Sequence, residues 1–480
     1  MALGRPGAAL VCFAAGGALA SSAVVVAGGR VGPVAGTTPL SSWFGLLRSS
    51  PVDAQANVFP GVALVLSIGA LALVWVLALR RSARWSTPQL WVLATCWVAP
   101  LALGPPLLSD DLSSYVAQGE LSLRDLSPYV LTPAQLHAGQ ALAAVDPLWR
   151  NTHSPYGPLF TLIEHVAAYL AGGSPLGTAI LLRAVALVSL FAIGILAHRL
   201  APPQWRNSAL LLTVLNPLLL LHLGSAAHAD GIVCVLTLGA ILALRRGHFL
   251  TAMGLACADG LTKAPGFVLA MVVLVLIWKA TDPPRRGVVL LRVCVVVAAT
   301  TAALSASVSD GWGWLGQLGT PAFGFTPAAP ATALALAFHP ALVWTHVMSA
   351  GALTWASRAV VVAIGLVFVI HLLRTSSRRE PARTAGFILL AVALLSPVIY
   401  PWYLLWGVTC LAVSEGRRLR LLLVSLSIVG SLMAVQGLTY SGIAVVASLL
   451  VTLISATVFV VGRMNRERRK VAVPLLADVS

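Results

Sequence analysis

Apolar runs of about 20 residues recur along almost the whole of this 480-residue chain. Each is long enough to cross the hydrocarbon core of a bilayer as a helix, with its backbone polar groups bonded inside the segment. Composition agrees. Hydrophobic residues make up 58% of the chain and charged residues 10%, against roughly 25% charged in soluble domains. The runs fall at 8–28, 61–79, 89–108, 176–197, 208–223, 231–245, 249–262, 264–279, 287–308, 355–373, 384–399, 401–414, 419–436 and 441–462. The fold class is therefore all-α, a polytopic transmembrane bundle of about 12–14 spans, several short enough to tilt or kink. No interval between runs is long enough for an ordinary soluble domain, so residues 1–480 read as one integral-membrane domain. Within it, 109–155 forms a large extracytoplasmic loop carrying interfacial helices, and 463–480 a cytoplasmic tail. The first run reads either as a signal peptide or as an uncleaved first helix, and the weak Ala18-Leu19-Ala20 cleavage match favours the helix.

The net charge of +16 raises the possibility of a nucleic-acid partner, and its distribution removes it. The basic residues sit in short clusters between apolar runs, at Arg80 to Arg84, Arg245-Arg246, Arg285-Arg286, Arg374 to Arg383, Arg417 to Arg420 and Arg463 to Lys470. That is the pattern of cytoplasmic loops in a plasma-membrane protein, without a basic arm interleaved with aromatics. Placing Arg80 to Arg84 inside carries every later cluster inside as well, provided that Tyr156 to Leu170 does not cross but lies in the outer interface or dips back. The acids then collect on the outer side. The six cysteines lie singly in apolar runs with no ligand spacing, and read as small hydrophobes. No metal or cofactor is expected.

Five constellations carry possible chemistry. Asp110 and Asp111 are adjacent carboxylates where the third apolar run ends. A helix-start Asp capping its helix accounts for one acid better than for two. If a helix begins here, Asp111 and Tyr115 share a face, and neighbouring carboxylates raise each other's pKa towards that of a general base. Trp149 to Pro158 is a Pro- and Gly-fixed turn whose Arg150, His153 and Tyr156 either meet a phosphate or form an interfacial belt. Asn216-Pro217 breaks a span ahead of His222, His228 and Asp230. Lys263 follows Asp259 at a spacing of four. An ammonium in apolar sequence costs about 2.5–3.5 kcal/mol unless it snorkels or pairs, so it snorkels, pairs with Asp259 or serves as a point charge for a lipid-linked phosphate. Tyr400, Trp402, Tyr403 and Trp406 lie with Pro397 and Pro401 in a broken aromatic segment suited to lining a cavity and to stacking on sugar faces.

Taken together, Asp111-Leu112-Ser113-Ser114-Tyr115 with Gln118-Gly119, Ser127-Pro128-Tyr129, Ser154-Pro155-Tyr156-Gly157-Pro158, Asn216-Pro217-Leu218, His228-Ala229-Asp230, Lys263-Ala264-Pro265 and Tyr400-Pro401-Trp402-Tyr403 form an ordered set. It resembles the GT-C class of integral-membrane glycosyltransferases, and within it the polyprenol-phosphate-mannose-dependent α-1,6-mannosyltransferases of actinobacterial lipomannan assembly. Ala229 stands where that family tends to have Asn. The resemblance implies an inverting, metal-independent hexosyl transfer, outside the plasma membrane, from polyprenyl-phosphate-linked mannose to a hydroxyl of a glycolipid or glycan acceptor, among membrane lipids. It makes Asp111 or Asp110 the catalytic base. Tyr115, Arg150, His153, Tyr156, His228, Asp230, Lys263, Tyr400, Trp402 and Tyr403 become substrate-binding residues, with Lys263 and Arg150 or His153 on the phosphate. Two other readings stand beside it. A transporter or flippase of lipid-linked sugars would relay charge through Asp230, Asp259 and Lys263 and face them into a two-ended pathway. A cell-wall glycan polymerase would keep the donor and change the acceptor.

Overall fold

Proline sets many of the helix starts. A Pro at the first helical position loses an N–H that has no intrahelical partner anyway, and its fixed φ suits the helix. The structure, a computed structural model, describes residues 6–31, 59–136, 142, 145–320 and 329–433. The expected span at 441–462 and the tail at 463–480 lie outside the described residues. All regular structure among the described residues is helical. In chain order the main helices are α1 (Pro6–Val31), α2 (Phe59–Arg80), α3 (Thr87–Leu103), α4 (Asp111–Leu123), α5 (Pro158–Leu170), α6 (Pro175–Leu200), α7 (Arg206–Leu212) and α8 (Asp230–Arg245). Then follow α9 (Phe249–Gly260), α10 (Pro265–Ala280), α11 (Arg286–Ser305), α12 (Pro330–Leu342), α13 (Ala350–Arg374), α14 (Pro381–Leu394), α15 (Leu404–Ala412) and α16 (Arg417–Met433).

Five of these stretches are long and apolar enough to cross a membrane, among them 175–200 and 350–374. The bent pair Pro203–Leu212 and Pro217–Ser225, which turns by 45°, is long and apolar enough to make a sixth if it forms one span. The chain is an all-α polytopic membrane protein. Six further apolar helices are 10–17 residues long, and 12–14 spans would require those to cross too. Pro217 breaks its span as the sequence suggests. The π-helical turn at Leu220–Ser225 that follows it has no counterpart in the sequence reading. Cys234, Cys257 and Cys410 are buried, whereas Cys12 and Cys294 lie on outer helix faces, so burial does not hold for every cysteine.

One apolar cluster joins α1–α3 to α6–α10 and α14–α16. The first helix belongs to it, since Trp97 donates from its indole to Phe13 O at 2.9 Å. The basic segments gather at one end. Arg245 donates to Leu200 O and approaches Glu380 at 3.2 Å, Ser414 donates to Glu380, Lys279 donates to Leu373 O and Arg374 O, and Arg420 reaches Ser208. The turn carrying Asp110 and Asp111 lies at the other end of α3. There Arg183 of α6, buried, donates to Gly104 O at 2.6 Å and Leu101 O at 2.9 Å, satisfying carbonyls that the end of α3 leaves open. Replacing it by Met strands those carbonyls in an apolar interior. Arg183→Met is expected to lower stability by about 1–3 kcal/mol, seen as a reduced Tm of the purified protein in detergent, with Arg183→Lys recovering part of the loss. An unchanged Tm in Arg183→Met would contradict this role.

Candidate active site

The acidic turn is built by a short helix that begins three residues after a strained corner. Leu108 has φ +70°, and Ser109 Oγ accepts the Asp111 amide at 3.2 Å. Asp110 occupies the N-cap position of α4 but makes no side-chain cap, so capping explains neither acid. Asp111 opens the helix, and one turn on Tyr115 reaches back to it with its hydroxyl 3.4 Å from Oδ2. Tyr115 also meets the Tyr156 hydroxyl at 3.1 Å, and the two rings pack edge to face at 5.3 Å. The helical face drawn from the spacing of four is therefore present.

The Ser154–Pro158 turn is tied to the turn between α9 and α10. Gly157 N donates to Thr262 O at 3.0 Å and Leu159 N to Leu261 O at 2.9 Å. A Cβ on Gly157 would lie 2.2 Å from Leu261 O, so only glycine permits this approach. The pairing places Tyr156 beside Lys263. The ammonium does not pair with Asp259, contrary to the spacing-of-four expectation. It spans both oxygens of Asp230 at 3.1 and 3.0 Å. Asp259 instead accepts from Thr237 at 2.6 Å. The Lys263 amide still donates to Asp259 O at 3.0 Å just past the end of α9 at Gly260, but the side chain points across to α8. Trp406 donates to Asp230 Oδ1 at 2.7 Å, and the ammonium lies 4.8 Å from the Tyr403 ring centroid. Neither Asp230 nor Asp259 lines the cavity described next, which is not the arrangement of a charge relay along a two-ended pathway.

Asp111, Tyr115, His153, Tyr156, Lys263, Tyr400, Trp402 and Tyr403 all line one cavity of about 630 Å³. His228 and Asp230 stand directly behind that wall. His228 Nδ1 is 3.2 Å from Asp111 Oδ2, a close contact that is out of line for a good hydrogen bond. Arg150 is not in the wall. Its Nε donates to Val145 O at 2.9 Å, which corrects the expectation that it joins Lys263. Asp110 also lies outside the wall. Its carboxyl is pushed up to about 6 by burial, with the charges of Asp146 and Asp111 adding. Burial pushes Asp111 up as well, but His228, Lys263 and the Ser109 hydroxyl outweigh it and hold the carboxyl below its ordinary value.

Sequence reasoning passed over several residues of the wall. Trp406 is not among them, since it closes the broken aromatic segment already read from the sequence and lines the cavity with it. Gln317 and Thr320 come from the segment between α11 and α12, where Gln317 donates to Tyr129 O at 3.2 Å, and no motif marks them. Gln118 accepts from Ser154 at 2.7 Å, joining the Gln118-Gly119 motif to the Ser154-Pro155 one.

The family model described as "Alpha-(1->6)-mannopyranosyltransferase, N-terminal domain" matches residues 14–281, and one described as "MptB C-terminal domain" matches residues 331–462. The chain is 28% identical over 378 residues to "Alpha-(1->6)-mannopyranosyltransferase A" of Mycobacterium tuberculosis, covering 75% of this chain and 72% of that one. It is 28% identical over 404 residues to "Alpha-(1->6)-mannopyranosyltransferase B" of Corynebacterium glutamicum, covering 74% and 65%. A "Probable alpha-(1->6)-mannopyranosyltransferase" of Mycolicibacterium smegmatis is 29% identical over 399 residues, covering 72% and 69%. No solved structure matches. A helical membrane bundle with these relatives is an integral-membrane glycosyltransferase. More closely, the chain belongs to the actinobacterial alpha-(1->6)-mannopyranosyltransferase family, whose N-terminal model covers more than half of it.

Breaking a buried ion pair costs more than removing both partners. Lys263→Met is therefore expected to destabilise the protein by about 3–5 kcal/mol, and Lys263→Met with Asp230→Asn to recover most of that, measured by Tm in detergent. Additive losses would show that the pair is not coupled. A second expectation concerns pH. Asp110 has a folded-state pKa raised above its unfolded value. Its contribution to stability is therefore complete below about pH 4 and is lost as pH rises towards about 6. Asp110→Asn should flatten that part of the Tm profile.

Proposed function

We propose that this protein transfers a mannosyl unit from polyprenyl-phosphate-linked mannose to a hydroxyl of a glycolipid or glycan acceptor, at the outer face of the plasma membrane, with Asp111 as general base. The observation that carries the proposal is that one cavity has Asp111, an ammonium group and four aromatic rings of the 400–406 segment in its wall. Asp111 accepts the proton of the acceptor hydroxyl, whose oxygen bonds to the anomeric carbon as the bond from that carbon to the phosphate oxygen breaks. A single displacement of this kind turns a β-linked donor into an α-linked product. The leaving group is polyprenyl phosphate, whose growing negative charge calls for a fixed donor. Lys263 has three N–H donors and shares them between Asp230 and the cavity.

The depressed pKa of Asp111 keeps it ionised near neutrality, as a base must be. Apolar residues continue the wall away from the polar end, with Val268 of α10, Val392 of α14 and Leu318 among them, and suit an isoprenoid tail. Sidedness follows from charge. The end where Arg245, Lys279 and Arg420 gather is the cytoplasmic one by the positive-inside rule, which leaves the cavity on the other side.

In membranes supplied with labelled polyprenyl-phosphate mannose and an acceptor glycan, Asp111→Asn should lower transfer by about 10²–10⁴-fold, the usual worth of a general base. Asp110→Asn should lower it less than about tenfold, since Asp110 is not in the wall. Wild-type transfer by Asp111→Asn would remove Asp111 from the chemistry.

A further inference from the structure

The segment between the broken span and α8 is unusual along its whole length. It begins with the π-helical turn Leu220–Ser225, a form found mostly at functional positions. It continues through Ala227 with φ +59°, a left-handed conformation that costs a non-glycine residue of order 1 kcal/mol or more. One residue later comes His228, its side chain wholly buried. Its ring is the end of a three-ring stack. Tyr400 lies on Trp402 with centroids 4.6 Å apart and planes at 4°, and Trp402 lies on His228 at 4.0 Å and 20°. His222, fully buried, packs against both His228 and Trp402 at 5.3 and 5.5 Å. The imidazole is thereby held on its face and at its back, with Nδ1 3.2 Å from Asp111 Oδ2 but off the line of a good hydrogen bond. Tyr115 reaches the same oxygen.

We propose that His228 is a positioning residue for Asp111. In this role it is not a ligand of the sugar or phosphate. Its stacked ring holds Nδ1 beside Oδ2, where a small turn of the carboxylate completes an Nδ1–H donation and so aims Oδ1 at the acceptor hydroxyl. The tautomer follows from the contact, because a lone pair on Nδ1 would face an anionic oxygen. This inference rests on the reading of Asp111 as base. It accounts for the strained corner. A regular helix through 220–230 would carry His228 away from Asp111, and the π turn and the left-handed Ala227 place it there. The charged and titratable groups facing Asp111 are Tyr115, Tyr156, Lys263, Tyr400 and Tyr403, with Asp110 next to it in the chain. All of them stay the same across the variants below.

The test is a series at one position, assayed with polyprenyl-phosphate mannose and an acceptor glycan. The amide nitrogen of Asn falls close to the ring Nδ1, while that of Gln falls close to Nε2. His228→Ala and His228→Gln should each lose about 10–100-fold in kcat, the worth of one hydrogen bond to a charged group, with KM for the donor nearly unchanged. His228→Asn should recover most of the rate. Removing the Nδ1–H donor raises the pKa of Asp111, so the acid limb of kcat/KM should move to higher pH in Ala and Gln and stay near the wild-type position in Asn. A loss confined to donor KM, or Gln equal to or better than Asn, would overturn the positioning role. Asp111→Asn is measured alongside. If it keeps wild-type activity the base assignment fails. If it is inactive while the His228 series does not split, only the positioning role fails. Near-UV circular dichroism of each variant registers the aromatic stack, and a variant that has lost the wild-type spectrum is set aside in favour of the Asn/Gln comparison.

Discussion

An ammonium and a carboxylate buried together behind an aromatic wall are the interaction on which the rest of this site depends. Asp230 opens α8, and Lys263 lies in the turn between α9 and α10. Neither charge could stay in an apolar interior alone, because an unpaired buried ion loses several kcal/mol of hydration. Pairing them therefore fixes how the cavity-side ends of α8, α9 and α10 meet. Trp406 adds a third helix by donating to the same carboxylate, so one polar knot binds the start of α15 to the others. The aromatic rings around the ammonium then have a fixed centre about which to pack.

The turns that carry Tyr156 and Asp111 are docked onto that knot, the first by backbone contacts. The Tyr156-Gly157 turn is hydrogen-bonded to residues 261–262, next to Lys263, and Tyr156 meets Tyr115 of α4. Asp111 is in this way referred to the knot through two steps, one from the turn and one from His228, two residues before Asp230. Geometry of this kind suits electrostatic catalysis. A base and a cation held by rigid neighbours need little reorganisation when charge develops.

Much of this was legible in the sequence, and the reasons are physical. Spans are read from unbroken hydrophobicity, which the bilayer demands, and the shared end of the basic clusters follows from the same charge asymmetry. Asp111 and Tyr115 were recognisable as neighbours because helical spacing is local. Lys263 was not matched to Asp230, since a spacing of four made Asp259 the obvious partner and only the fold shows that α9 ends first. Arg150 was misplaced for a similar reason, because a turn rich in Pro and Gly does not say which way its side chains face. Gln317 and Thr320 had no local signal, since they reach the cavity through a long connection. The π turn was hidden because nothing in Leu220 to Ser225 distinguishes it from an ordinary helix.

The central claim is that the cavity beside Asp111 and Lys263 is where lipid-linked sugar is bound and transferred. An experimental structure of the protein in lipid nanodiscs with a non-transferable polyprenyl-phosphate sugar tests it most directly. The account predicts a phosphate within hydrogen-bonding distance of Lys263, roughly 3 Å, a sugar lying towards Asp111, and an isoprenoid tail leaving past Val268 and Val392. A phosphate seated at the opposite end, near Arg245 and Glu380, or a sugar out of reach of Asp111, would contradict it.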